Sequence, residues 1–281
     1  MAWLFKSATK PAMSMTATMR HYRLVVFPLT AASDDSAILS FFHDVADAAA
    51  DVLDENEDWS LSGERDGQYA ADVLVDDVVV DMLTAAGVQI LSEESGAARV
   101  TWPLEADDLL VIVDPLDGSS NAAKGIPWYA TALCAVDRDG LRVALVAEQS
   151  GSELRFSAVR GRGALCDGMP IRSSSCAKLS DAIVGFNGTP SGHGGWRQAR
   201  VFGAAALDLC LVAKGGLDGY VDLFDHGVWD YAASLLICRE AGCAIGEADG
   251  RELIHVNPEE RCSPIVAANS RLLDQLMSLR V

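Results

Sequence analysis

Acidic side chains stand at three points of the sequence where the neighbouring residues indicate that a strand ends or a helix begins. Glu93 and Glu94 follow a short β-branched run, Asp114 and Asp117 flank a proline turn, and Asp230 opens a helix-like segment. Carboxylate oxygens are the ligands that hard cations such as Mg²⁺ prefer. Asp117 is followed by Gly-Ser-Ser-Asn, a helix start whose free backbone N–H groups suit a phosphate. The pattern therefore predicts cations beside a phosphate site.

The sequence offers no competing catalytic motif. The five histidines lack the spacing of zinc ligands, and there is no GxSxG elbow, GxxxxGK loop or GxGxxG fingerprint. A single Asp at a helix start is most often a cap, but two acids three residues apart around Pro115 need a further explanation. Hydrolytic chemistry would therefore have to come from bound metal ions.

Hydrophobic periodicity predicts the elements that position these acids. Leu109 to Val113 is a fully apolar run of strand length, and Pro115 should end that strand. Helical spacing of apolar residues predicts helices at 38–53, 69–83, 204–213, 230–240 and 270–279. Strand-like runs are found at 88–91, 109–113, 129–136, 143–149, 154–159, 183–186 and 219–223.

Length and composition predict a folded protein with a large core. The 281 residues, 50% of them apolar, suffice for one large α/β domain or two small ones. No repeat or interdomain linker is visible, so we predict one domain over 34–281, built of two α/β halves at about 34–180 and 181–281. Residues 1–33 are predicted to be a disordered N-terminal extension. Their apolar run at 24–29 is short and contains Pro28, although a targeting segment or a misplaced start remains an alternative.

Charge and cysteine content restrict the partners and the compartment. The net charge is −18 and no Lys/Arg cluster is present, which argues against nucleic acid. No apolar run is long enough to span a membrane. The seven cysteines are scattered and never form CxxC, which is typical of reduced thiols in a cytoplasmic protein. An anionic substrate would depend on locally bound cations.

Three motifs in order resemble the inositol monophosphatase family: LSEESG at 91–96, DPLDGSSN at 114–121 and WDYAAS at 229–234. This family belongs to the magnesium-dependent, lithium-sensitive phosphatases, which include fructose-1,6-bisphosphatases and 3'-phosphoadenosine 5'-phosphate phosphatases. The resemblance extends from about Asp35 to the C-terminus. It implies an α/β fold of layered α+β type, the αβαβα sandwich, with two or three Mg²⁺ ions and a homodimer. The implied reaction is hydrolysis of a small phosphorylated metabolite by a metal-activated water.

The resemblance also implies roles for individual residues. The metal ligands would be Glu93, Asp114, the Leu116 carbonyl, Asp117 and Asp230. Ser119, which replaces the family's usual threonine, would orient and deprotonate the attacking water together with Asp76, and Glu93 would share in the catalysis. Substrate would be held by the backbone of Gly118, Ser119 and Ser120, by the small-residue turn Gly203, Ala204 and Ala205, and by the acid Asp222.

The substrate within this superfamily stays open at the level of sequence. DPLDGSSN is a spelling common in fructose-1,6-bisphosphatases, whereas WDYAAS, which supplies a metal ligand, is closer to inositol monophosphatases. Inositol monophosphate or a related sugar or polyol phosphate is therefore favoured. The alternatives are fructose 1,6-bisphosphate, 3'-phosphoadenosine 5'-phosphate and histidinol phosphate. A catalytically silent metal-binding regulatory domain is a different class of explanation, which the presence of every motif acid disfavours.

Overall fold

The described residues, 28–98 and 100–280 of the computed structural model, form two β-sheets and six helices. Apolar residues at helical spacing produce the helices. The first helix buries one face, whereas the fourth and fifth, in the middle of the molecule, bury nearly every side chain. The helices are α1 (Asp35–Glu55), α2 (Ala70–Ala85), α3 (Ser119–Ala123), α4 (Ala205–Ala213), α5 (Val228–Glu240) and α6 (Ser270–Met277).

The larger sheet contains the first eight strands in the order β2-β1-β3-β4-β5-β6-β7-β8. β1 runs parallel to β3, and the remaining neighbours are antiparallel. Every residue of β3 and β4 is buried, because helices cover both faces of the sheet there. The strands are β1 (Gln89–Ser92), β2 (Gly96–Ala98), β3 (Leu110–Asp117), β4 (Ala130–Asp137), β5 (Gly140–Glu148), β6 (Arg155–Val159), β7 (Ala164–Cys166) and β8 (Met169–Pro170).

The smaller sheet has five strands in the order β10-β9-β11-β13-β12. β9 is parallel to both of its neighbours, whereas β13 is antiparallel to β11 and β12. Short 3₁₀ turns at Leu179–Asp181 and Ser278–Arg280 flank this half. The strands are β9 (Ile183–Asn187), β10 (Gln198–Arg200), β11 (Gly219–Asp222), β12 (Ala244–Glu247) and β13 (Pro264–Ala267).

The elements form five layers. Helices α1 and α2 cover the outer face of the larger sheet, α4 and α5 lie between the sheets, and α6 covers the smaller sheet from outside. A separate group of buried apolar side chains fills each of the three helix-bearing layers. The predicted αβαβα sandwich is therefore confirmed.

Strand β3 does not end where the sequence predicted. It continues through Pro115 to Asp117, and its register with β4 shifts between Asp114 and Asp117. The bulge accommodates a residue that has no N–H to donate, and the Pro115 carbonyl instead accepts a hydrogen bond from Thr131 Oγ1 at 2.9 Å. The predicted end of the strand at Pro115 was wrong because a bulge, rather than a break, absorbs the proline.

Most of the predicted N-terminal extension, residues 1–27, lies outside the described residues. From Leu29 onward the chain contacts the domain. The Leu29 side chain is buried, and the Leu29 N–H donates to the Ala86 carbonyl at 2.9 Å. The Arg142 guanidinium donates to the carbonyls of Ala31 and Ser33 at 2.8 and 2.7 Å. Contacts with the domain are thus present before the predicted boundary at residue 34. Within the described residues no helix is both long and apolar enough to cross a bilayer.

Candidate active site

Three of the predicted acids meet at the carboxyl ends of β1 and β3 in the larger sheet. The parallel register of β1 and β3 places Glu93 beside the end of β3, where its N–H donates to the Val113 carbonyl at 3.2 Å. Asp230 reaches the same place from the first turn of α5. Carboxylate oxygens of Glu93, Asp114 and Asp230 all lie within 4.8 Å of one another. The structure therefore brings together side chains that are far apart in sequence.

Asp117 is held by the N-terminus of helix α4. Its two carboxylate oxygens accept hydrogen bonds from the N–H groups of Ala205 at 3.2 Å and Ala206 at 2.7 Å. These donors carry the partial positive charge of a helix N-terminus, which favours an anion. The Ala205 N–H was predicted to contact substrate, but it is already engaged by Asp117. Ala205 therefore positions the acid, and the approach of the 203–205 backbone to substrate stays a prediction.

Burial of these carboxyl groups opposes their ionisation. The pKa of Glu93 and of Asp114 lies well above the ordinary value because of burial and then of their acidic neighbours, Asp230 for Glu93 and Glu93 for Asp114. Burial and Asp230 raise the pKa of Asp117 to about 8. Burial likewise raises the pKa of Asp230. Such a cluster becomes fully ionised at neutral pH only when cations compensate its charge.

One oxygen of this cluster has no partner. Asp114 Oδ1 accepts the Leu116 N–H at 3.0 Å, whereas the buried Oδ2 of Asp114 forms no hydrogen bond. A buried carboxylate oxygen without a donor costs free energy, and a cation removes that cost. Leu116 lies between the two acids of the bulge, and its carbonyl stays the predicted backbone ligand. The donor set is made of oxygen atoms only, which fits Mg²⁺.

Glycine is required where the chain turns from β3 into α3. Gly118 has φ of 84°, and a Cβ there would lie 3.0 Å from both the Trp128 carbonyl and the Ala204 Cβ. Asn121 Nδ2 holds the two turns together by donating to the carbonyls of Trp128 at 2.8 Å and Phe202 at 2.9 Å. The predicted cradle at 118–120 and the turn at 203–204 are therefore adjacent. The Asn121 N–H donates to the Gly118 carbonyl at 2.8 Å, so the N–H groups of Ser119 and Ser120 are the ones at the start of α3 that have no acceptor within the helix.

The predicted pairing of Asp76 with Ser119 is not found. The Asp76 carboxylate accepts hydrogen bonds from the hydroxyl groups of Ser92 and Ser95, and these bonds fix it against β1. Asp72, one turn earlier in α2, lies against the Ser119 side chain instead, and burial raises its pKa to about 6. Because residues four apart share a helix face, the sequence identified the correct face of α2 but the wrong turn.

Asp222 also has a role that was not predicted. It is fully buried and accepts hydrogen bonds from Asn187 Nδ2 at 2.8 Å and the Phe224 N–H at 3.0 Å. Its second oxygen lies 2.6 Å from His226 Nδ1. Burial opposes protonation of His226, but Asp230 and then Asp222 outweigh it and raise its pKa to about 9. Asp222 therefore orients the His226 ring, and its predicted contact with a substrate hydroxyl stays a prediction.

A cleft of about 300 Å³ opens beside the acids. Sequence reasoning missed two arginines in its wall, because both lie in irregular segments outside any motif. Arg65 Nη1 donates to the Glu93 carbonyl at 3.0 Å and pairs with Glu94, whereas the Arg261 guanidinium lies 5.0 Å over the Trp229 ring. The lining residues are Arg65, Asp66, Gly67, Gln68, Asp72, Glu93, Glu94, Ser119, Trp229 and Arg261.

A five-layered α/β fold with buried carboxylates beside a glycine-bounded turn fits a metal-dependent phosphatase. Comparison with known proteins agrees, since the model of the inositol monophosphatase family matches residues 34–281. The chain belongs to the inositol monophosphatase family.

Relatives of this chain have different substrates in their names. It is 32% identical over 224 residues to a fructose-1,6-bisphosphatase of Pyrococcus furiosus, covering 78% of this chain and 85% of the relative. It is 34% identical over 212 residues to an inositol-1-monophosphatase of Mesorhizobium japonicum, covering 70% and 77%. A solved structure from Pyrococcus horikoshii, described as having similarities to inositol-1 monophosphatase, has a TM-score of 0.73 and 25% identity, covering 85% of this chain and 98% of the other.

Family membership establishes the class of reaction. The protein is a phosphoric monoester hydrolase of a metal-dependent family, which is the enzyme class predicted from its three motifs. An enzyme is therefore favoured over a silent metal-binding domain. The particular ester is a separate question, because the names of the relatives divide between a bisphosphate and a monophosphate.

Proposed function

We propose that the protein hydrolyses a small phosphate monoester with Mg²⁺, and that the substrate is inositol monophosphate or a related sugar or polyol phosphate. The observation that carries the proposal is the convergence of Glu93, Asp114 and Asp230 within 4.8 Å at the edge of a cleft of about 300 Å³. A cleft of that size suits one phosphorylated sugar or cyclitol.

Glu93, Asp114, Asp117, Asp230 and the Leu116 carbonyl would hold two or three Mg²⁺ ions. The unpartnered Asp114 Oδ2 and the raised pKa values of the four acids support this assignment. When bound, Mg²⁺ would supply charge neutralisation for the phosphate and its leaving oxygen, and would acidify a water.

The chain itself would bind the phosphate and orient the attacking water. Backbone N–H groups of Gly118, Ser119 and Ser120 would donate to phosphate oxygens from the first turn of α3. Ser119 Oγ would accept the proton of the attacking water while its own hydroxyl proton passes to the Asp72 carboxylate, which lies against it. Asp117, held by α4, keeps this end of β3 in place. The reaction then needs no phosphoenzyme.

A second candidate substrate is a bisphosphate such as fructose 1,6-bisphosphate. Arg261 donates to the carbonyls of Pro258 at 2.6 Å and Glu260 at 3.0 Å and lies over Trp229, but it forms no salt bridge with any described carboxylate. Its positive charge in the wall of the cleft is therefore available to a second phosphate group.

Phosphate release from a panel of esters tests the proposal. Inositol 1-phosphate, fructose 1,6-bisphosphate, 3'-phosphoadenosine 5'-phosphate and histidinol phosphate would each be assayed with Mg²⁺, with lithium and with EDTA. We expect inositol 1-phosphate to give the highest kcat/KM, inhibition by lithium and no turnover in EDTA. The variant Arg261→Gln separates the two candidates, since it should raise KM for a bisphosphate at least about tenfold and leave a monophosphate almost unchanged.

We also propose a cytoplasmic homodimer that binds neither membrane nor nucleic acid. The scattered cysteines and the acidic composition support the compartment and the choice of partners, and the family resemblance supports the dimer. Sedimentation equilibrium of the full chain would test the dimer, and a mass of one chain at micromolar concentration would refute it.

A further inference from the structure

A second group of potential metal ligands lies in the segment that leads into β13. One ligand atom each from His255, Glu260 and Cys262 lies within 4.8 Å of the other two. The group shares no residue with the acid cluster described above. It joins a nitrogen, an oxygen and a sulfur donor, whereas the acid cluster offers oxygen alone.

The hydrogen-bonding capacity of this group is poorly used. His255 is only 9% exposed, and its buried Nδ1 forms no hydrogen bond of acceptable geometry. Its Nε2 lies 3.4 Å from the Tyr231 hydroxyl, which donates to the Leu253 carbonyl at 2.9 Å. The fully buried Cys262 thiol has a long contact, 3.6 Å, to the Glu252 carbonyl and also lies against the Tyr231 hydroxyl. A buried imidazole nitrogen without a partner is costly, and an ion bound at Nδ1 would remove that cost.

We infer that His255, Glu260 and Cys262 form a binding site for a borderline transition-metal ion of the Zn²⁺ class. Imidazole and thiolate favour Zn²⁺ over Mg²⁺, so the two metal sites select different ions. Ligands at about 2.0 to 2.3 Å from a tetrahedral zinc lie roughly 3.3 to 3.7 Å apart, so atoms within 4.8 Å of one another need to approach by at most about 1.5 Å.

The charges around the group permit a cation. Of the two nearby cations, Arg251 is paired with Glu247 at 2.6 Å, Asp249 at 3.2 Å and Asp225 at 3.3 Å. The other, Arg261, stands between Glu260 and Cys262 in the sequence. The Arg261 guanidinium is directed to the Trp229 ring. On binding, the Cys262 Sγ–H bond breaks, its proton goes to solvent and a metal–sulfur bond forms, so no oxidant or reductant is needed.

The site would connect the ion to the catalytic cleft. Arg261, which lies in the wall of the cleft, stands between the two ligands Glu260 and Cys262. Tyr231, which contacts His255, follows Asp230 in α5. A bound ion would therefore restrict the 255–262 segment and fix the position of Arg261 over Trp229.

Cadmium titration of the full-length protein, with millimolar Mg²⁺ present throughout, tests the site. Cd²⁺ resembles Zn²⁺ in its ligand preference, and only a thiolate ligand produces the ultraviolet charge-transfer band. The test variant is Cys262→Ser, and the matched control is Cys176→Ser, which changes a half-buried free cysteine elsewhere in the chain. Melting in EDTA would show that both variants fold.

We expect one thiolate-bound Cd²⁺ per chain in the wild type and in Cys176→Ser, and none in Cys262→Ser. The variants His255→Gln and Glu260→Gln should bind Cd²⁺ at least about tenfold more weakly with the band still observable, and they decide the matter if Cys262→Ser does not fold. A band that survives Cys262→Ser, unchanged affinity in His255→Gln, or no band in the wild type would overturn the inference. Since no activity is measured, failure here is independent of the proposed function.

Discussion

Replacing Asp72 by Asn tests the most specific correction that the structure makes to the catalytic assignment. If the Asp72 carboxylate accepts the Ser119 proton, Asp72→Asn should lower kcat by about 10² to 10⁴, the range for a positioned proton acceptor. KM should change little, because backbone N–H groups and cations would still hold the phosphate. The matched control, Asp76→Asn, lies one turn away on the same helix and contacts Ser92 and Ser95, so its kcat should stay near that of the wild type.

Asp72→Asn should lower activity but raise the free energy of unfolding at neutral pH. Burial raises the pKa of Asp72 from 3.8 to about 6, so the folded state ionises this group less readily than the unfolded state. The penalty is absent below about pH 4, grows as the pH rises and is complete above about pH 6. At about 1.4 kcal/mol per pKa unit, a shift of about two units corresponds to at most about 3 kcal/mol. Solvent in the cleft reduces the expected gain of Asp72→Asn to about 1 to 2 kcal/mol at pH 7.

The assay combines two measurements on each variant. Steady-state phosphate release with Mg²⁺ gives kcat and KM, and urea unfolding in EDTA at pH 5 and pH 7 gives the free energy of unfolding. An Asn side chain can still accept the Tyr69 N–H that Asp72 accepts at 2.8 Å, so the helix start is preserved. The reasoning is refuted if Asp72→Asn keeps more than about a tenth of the wild-type kcat, or if Asp76→Asn is the more damaging change.

Four further outcomes are expected. Asp230→Asn should lower kcat at least about a thousandfold without lowering Tm in EDTA, and residual activity near a tenth would show that this acid is only a cap. The pKa of Asp117 in the folded state is about 8, so protein in EDTA should lose stability as the pH rises from about 4 to 8. Added Mg²⁺ should reduce that loss, and a Tm in EDTA that does not change with pH would contradict this prediction. Ser119→Ala should lower kcat by about 10² to 10⁴ and Ser119→Thr should restore most of it, whereas phosphoserine trapped by rapid quenching would mean covalent catalysis. A chain starting at residue 34 should be about 1 to 3 kcal/mol less stable than one starting at residue 28, because it lacks buried Leu29 and its hydrogen bond; equal urea midpoints of the two chains would refute the contact.

Local sequence was sufficient to predict most of the elements and the chemical class. Apolar runs predicted β3, β4 and β5, and helical spacing predicted α1, α4 and α5, because each pattern reflects which faces a single element buries. Two acids three residues apart around Pro115, followed by the helix start Gly-Ser-Ser-Asn, indicated metal and phosphate chemistry, because a single acid at a helix start is usually only a cap. The bulge at Pro115 was not predictable, since it depends on the partner strand β4 and on Thr131.

Contacts between distant segments decided the rest of the site. Nothing in the sequence near α2 distinguishes Asp72 from Asp76, because the choice depends on where α3 places Ser119. Ala205 and Asp222 likewise received their roles from partners elsewhere in the chain, Asp117 and Asn187. The sequence by itself determined which side chains are available and which element presents each one. Only tertiary structure decided which of them meet, since hydrogen bonds and burial depend on distances that chain order does not specify.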